Sequence, residues 1–138
     1  AGAARFERGD RLKGEPSGPE QGADRFALAE QVLEAMQAVR HGQDPELAAK
    51  AFAKQDAEAI LTTVSRVIEA CIRGPHDAFA TEVLRLDGAR PPEAMLFQLH
   101  DRVQEVRRQA VQRIHVNIPM ALGMLLSGWA FIWSKVLR

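Results

Sequence analysis

The sequence predicts an all-α fold, an irregular bundle of five or six helices. Three observations carry this. Apolar residues recur every three or four positions in one segment after another, the period of a helix with a buried face. Asp, Asn, Gly and Pro bracket those segments where caps and terminators belong. No segment alternates apolar and polar residues as a half-buried strand would, and no internal repeat is present. With 138 residues, 46% hydrophobic and 26% charged, the chain is long enough for one domain with a core and too apolar to be disordered.

Residues 1–23 fall outside the helical pattern. Their glycines and prolines, as in "GEPSGPEQG", read as a flexible linker or N-terminal extension, with at most a frayed turn from Arg5 to Lys13. The helical domain is expected over 24–138. The chain starts without Met and without an apolar run before a cleavage site. No signal peptide is therefore expected, and the start reads as a cut from something longer.

The first helix is expected from Asp24, its cap, to Gly42, which ends it in a left-handed turn. Phe26, Ala29, Val32, Leu33, Met36 and Val39 form its apolar stripe. "DPEL" opens a short second helix with Asp44 as cap and Pro45 at its first position. Leu47, Ala48, Ala51 and Phe52 are its expected inner side. A third helix runs from about Asp56 to Arg73, with Ile60, Leu61, Val64, Val67, Ile68, Cys71 and Ile72 inward, and stops at Gly74–Pro75. "HDAFATEVLRL" supplies a short fourth, with Ala78, Phe79, Val83 and Leu84 inward. "DGARPP" is a loop. A long helix follows from about Pro92 to Ile114, its stripe running from Met95, Leu96 and Leu99 through Val103 and Val106 to Ala110 and Val111.

"HVNIP" breaks that helix, because Pro119 disfavours helix at Ile118. Asn117 caps the last helix, expected to reach about Leu137. The run from Ile118 to Trp133 is 16 almost wholly apolar residues and holds both tryptophans. A helix apolar on every side must be buried by protein or by lipid. A span needs about 20 residues, and Pro119, Gly123, Ser127 and Gly128 interrupt this one, so protein is the expected cover. Gly123, Ser127 and Gly128 suggest close helix approach along one side, and Trp129 and Trp133 a large contact area on the other.

Eighteen basic residues balance eighteen acidic ones, which offers no global attraction for nucleic acid. One cysteine, Cys71, cannot form an internal disulfide and reads as a buried thiol in a reducing compartment. No phosphate-cradling loop and no Cys/His zinc spacing is present. His41, His76, His100 and His115 are scattered, and Ser65, Ser127 and Ser134 lie in helical apolar patterns rather than on a nucleophile turn. No catalytic residue, metal ligand or cofactor is expected. Arg102, Arg107, Arg108 and Arg113 spread over a broad helix face with Asp101 and Glu105 among them, and Glu105 is placed to pair with Arg108. That face reads as solvated or interface-forming.

The segment "VRRQAVQRIHVNIPMALGMLLSGWAFIW" resembles the C-terminal region of the delta-prime subunit of the bacterial DNA polymerase III clamp loader. The counterparts are Arg107, Gln109, the break at His115–Asn117, Leu125–Leu126 and Trp129 to Trp133. "AKQDAEAILTTVSRVIEACIR" is similar to the family's preceding helix, so the resemblance covers roughly Ala49 to Trp133. It implies a collar-like oligomerisation domain, non-catalytic by itself. Such a domain joins those of the delta and tau/gamma subunits in a ring that holds the loader together while it places the sliding clamp on primed DNA. The parent assembly would be a DNA polymerase III holoenzyme. The implied location is cytoplasmic, without membrane contact, and contact with DNA would be indirect, through the complex. Arg102, Arg107, Arg108, Leu126, Trp129 and Trp133 are the candidate subunit interface, with Trp129 and Trp133 open to a core reading as well. Gly123 and Gly128 depart from the family's more polar last helix, and the glycine-rich start departs from its usual linker. A collar domain of the related tau/gamma subunit, a helical adaptor of another kind and a tail-anchored membrane protein are the alternatives.

Overall fold

The computed structural model describes residues 19–74, 77–85, 90–112 and 117–136, with side chains from Phe26 onward. The linker before Pro19, Pro75, His76, the loop at 86–89, Arg113, the break at His115 and the expected helix end at Leu137 lie outside the described residues. The described residues fall into two units divided between Glu30 and Gln31. The chain's described elements are six helical segments, with no strand among the described residues, so the fold is all-α.

Helix α1 (Pro19–Arg40) begins five positions before the expected Asp24. Proline at the first helical position loses nothing, because an N–H there has no acceptor one turn back. From Gln31 onward α1 belongs to the second unit, where Val32, Met36 and Val39 are buried. Phe26, expected on the same stripe, is 65% exposed. Gly42, at φ 113°, accepts the left-handed turn that closes the helix.

Asp44 caps α2 (Pro45–Lys50) by accepting the Glu46 N–H at 3.0 Å. Its inner residues are Ala48, Ala49 and, just beyond it, Phe52. Leu47, expected inward, is 59% exposed. In so short a helix a shift of one residue turns the buried face by more than a quarter turn. Asp56 caps α3 (Ala57–Arg73) in the same way, through Glu58 N–H at 3.1 Å. Here the expected stripe is buried almost in full, from Ile60 to Cys71. Gly74 ends it at φ 82°, and Arg90 donates to the Ile72 carbonyl at 3.0 Å beside it.

The fourth segment is a π-helical turn, Phe79–Val83, rather than an α-helix. Asp77 holds its entry through the N–H groups of Phe79 and Ala80. Ala80 and Leu84 are its buried residues, while Val83 is half exposed. Helix α4 (Glu93–Val111) buries Leu96, Leu99 and Val103 but leaves Val111 exposed. Asn117 accepts the Met120 N–H at 3.1 Å and so caps α5 (Ile118–Ser134). Within the second unit, α2 packs on α5, α3 packs on α4, and α4 also meets α5.

The tryptophans of α5 sit at the centre of this unit. Trp129 and Trp133 are 1% and 0% exposed, with ring centroids 5.6 Å apart and planes at 73°, the favoured edge-to-face geometry. Trp129 Nε1 donates to the Met36 carbonyl at 2.8 Å. The Arg40 guanidinium lies 4.1 Å from the centroid of the Trp133 ring and donates to the Leu84 carbonyl at 2.7 Å. Gln37 joins the same node, accepting from Arg40 at 3.2 Å and donating to the Val83 carbonyl at 3.2 Å. Trp129→Phe is expected to cost about 1–3 kcal/mol, because it removes a buried donor and leaves unfilled space. Urea unfolding measures this, and an unchanged midpoint would show that the indole bond contributes nothing.

Candidate functional site

Two apolar stripes run along α5. Leu122, Leu125, Leu126, Trp129, Ile132 and Trp133 follow the three-and-four spacing of one face, and all are buried. Met120, Met124 and Phe131 follow the opposite face and are 64%, 66% and 54% exposed. They line a groove of about 660 Å³ together with Gly123, Ser127 and Gly128. Its rim is charged: Glu46 and Lys50 come from α2 and Arg102 from α4. At Gly123 the groove borders α2. A Cβ on Gly123 would sit 3.8 Å from the Ala49 Cβ. Lys135 lies 4.6 Å over the Phe131 ring and covers one end of the stripe with a cation.

The structure separates the six residues expected at a subunit interface. Arg102 is exposed and borders the groove. Arg107 is half-buried and lines a different pocket, between α3 and α4. Arg108 is paired with Glu105, as the spacing predicts, and donates to Gln112 at 2.9 Å. Leu126, Trp129 and Trp133 are core residues of the folded chain and present no surface to a partner. Their spacing of three and four places them on one face, and that face is taken by the chain's own helices. Met120, Met124 and Phe131 are the exposed apolar residues of α5 instead. Their own helical spacing was the available signal, but it could not say which of two apolar stripes turns inward.

A polar cluster between α3 and α4 was not legible at all. Ser65, 3% exposed, accepts from Gln104 Nε2 at 2.7 Å. His100 Nε2 lies 3.0 Å from Glu69 Oε2 and 3.3 Å from Ser65 Oγ, and Ser65 also donates to Glu69 at 3.2 Å. The residue types suggest a Ser–His–Glu relay, but the geometry rules one out. A relay needs the acid on one imidazole nitrogen and the hydroxyl on the other, whereas here both approach Nε2. The cluster therefore acts as a clamp that joins two helices around the buried Ser65 hydroxyl. Its contacts across the two helices join residues 31 to 39 positions apart in sequence, which is why no local pattern announces it. His41, by contrast, is exposed.

The hydrogen bond from His100 holds the Glu69 carboxyl below its ordinary value of 4.5, helped by Ser65 and Arg73 and opposed by partial burial. Burial pushes the Cys71 thiol up to about 12, against the weaker opposing pull of Arg40 and Arg90. Among the described residues no group of three or more His, Cys, Asp or Glu side chains is arranged to hold a metal ion. None of the described helices is long and apolar enough to cross a membrane. Comparison with known protein families, characterised proteins and solved structures finds no match for this chain.

Two expectations follow for the titrating groups. Glu69 is depressed in the folded state, so its contribution to stability is complete above about pH 4.5 and is lost as pH falls through the lower folded value. Glu69→Gln should therefore flatten the acid limb of the stability profile while leaving its slope above neutrality unchanged. Melting curves from pH 3 to 8 (roughly the span that brackets this titration) decide it, and parallel acid limbs would refute the assignment. Cys71 should resist a thiol reagent at pH 8 in the native chain and react only on unfolding, since thiolate is the reactive form. Native-state labelling as fast as that of a free thiol would contradict this.

Proposed function

We propose that this chain is a non-catalytic helical oligomerisation domain, that of a delta-prime-like subunit of a bacterial replicative clamp loader. The observation that carries the reading is the outward stripe of α5. Met120, Met124 and Phe131 are exposed on a helix whose other side is fully engaged in the core. Large apolar side chains gathered in a groove with a charged rim are the anatomy of a protein interface. Methionine suits such a surface because its unbranched chain adapts to the partner. The partner would be the corresponding helical domain of a neighbouring loader subunit, delta or tau/gamma, laid against α5, with Arg102 at the rim. The resemblance of the sequence from Ala49 to Trp133 to the delta-prime collar supports the choice of family. A cytoplasmic location and indirect contact with DNA belong to the same proposal.

A tail anchor is the competing use of an apolar last helix. The 17 residues of α5 extend about 25 Å, short of the roughly 30 Å hydrocarbon core, and one of its faces is already covered by protein.

The test is reconstitution. The parent chain should co-purify with its delta and tau/gamma subunits, and Met124→Glu with Phe131→Glu should reduce that association about a hundredfold or more while the melting temperature stays near the parent value. Unimpaired assembly of the double variant would remove the groove from the interface. Failure of the unsubstituted chain to assemble would sink the clamp-loader reading.

A further inference from the structure

We propose that the seam between α3 and α4 is a phosphate-binding site, in which Arg66 and Arg107 hold one tetrahedral phosphate group beside the Thr62 hydroxyl. These side chains line a pocket of about 390 Å³ together with Ser65, Glu69 and Arg73. Thr62 and Arg66 are one turn apart on α3 and share a face, and Arg107 reaches the same space from α4.

The donors of Arg66 and Arg107 are unspent. Arg73 is engaged by Asp77 at 3.0 Å and Glu69 at 3.7 Å, Arg108 by Glu105, and Arg90 by the Ile72 carbonyl. Arg66 and Arg107 have neither a carboxylate partner nor a hydrogen bond among the described residues, and the Thr62 hydroxyl has none either. Arg66 is nonetheless held in place: its guanidinium lies 5.2 Å from the centroid of the Phe79 ring. A cation–π contact of this kind attracts the guanidinium to the ring without using its N–H donors.

The electrostatics favour an anion. The lining carries three guanidinium groups against one carboxylate, Glu69. Glu69 is itself committed, with His100 and Ser65 on Oε2 and Arg73 on Oε1. The planar fork of arginine matches the paired oxygens of phosphate, and two such forks with a hydroxyl suit a single tetrahedral group. A phosphodiester of a nucleic-acid strand and a free phosphate offer that same chemistry. None of these lining residues borders the α5 groove, so the site stands independently of the function proposed above.

Amide and arginine Nε–H correlation spectra of the whole chain test this, with sodium phosphate titrated against chloride at constant ionic strength. Saturable shifts are expected at Thr62, Arg66 and Arg107. They should weaken about tenfold or more in Arg66→Gln/Arg107→Gln and persist in Met124→Glu, with melting curves confirming that each variant is folded. A second arm adds single-stranded oligothymidylate. Tighter binding that displaces phosphate and is lost in the same double arginine variant identifies the group as a strand phosphodiester. No tightening over phosphate alone identifies a free phosphate group. Shifts that stay linear in phosphate concentration, or that are equal in the double arginine variant and the parent, overturn the site.

Discussion

A cation buried against an indole ring holds this unit together. Arg40 is only 9% exposed, and removing a guanidinium from water is costly unless its donors and charge are answered. Here Nη1 donates to the Leu84 carbonyl and to the Gln37 side chain, and the guanidinium lies over the face of Trp133. Each of those partners comes from a different part of the chain. The end of α1, the residues closing the π-turn and the last helix are thereby fixed at one point, and Trp129 adds a second tie from α5 to α1 through the Met36 carbonyl. The π-turn makes sense in this light. Its wider winding leaves the Val83 and Leu84 carbonyls where Gln37 and Arg40 can reach them.

That node decides what is left for the surface. With Trp129 and Trp133 consumed inside, the outer chemistry of α5 falls to two methionines and a phenylalanine. The groove they line is framed by Glu46 and Lys50 of α2 and by Arg102 of α4. On the other side of α4, the clamp of Ser65, Glu69, His100 and Gln104 satisfies the polar atoms between α3 and α4. It also engages both carboxylate oxygens of Glu69, together with Arg73, at the edge of the pocket that Arg66 and Arg107 line. One long helix thus contributes a charge to an apolar groove and another to a basic pocket, on different faces.

Helix identity was readable wherever a stripe was long and a cap was explicit. The seventeen residues of α3, framed by Asp56 and Gly74, show this best: nearly every expected inner residue is buried. The same logic placed Asp44 and Asn117 at their caps, because a cap depends on two or three neighbouring residues. It failed where elements were short or doubly apolar. Leu47 and Val83 face outward because, over a single turn, several rotations are equally compatible with the pattern. In α5 both faces are apolar, and periodicity assigns no direction to either.

What the chain of residues carried without further help was therefore local: an all-α fold, most helix limits, the capping residues and the Glu105–Arg108 pair. Folding alone settled which stripe of α5 became core, that Arg40 would be buried beside Trp133, and that Ser65, Glu69, His100 and Gln104 would meet. It also separated Arg102 from Arg107, two residues of one helix, into different surroundings. The physical reason is range. A helical period and a cap act over a few residues, whereas burial, cation–π contact and the clearing of a pocket depend on neighbours that lie tens of positions away.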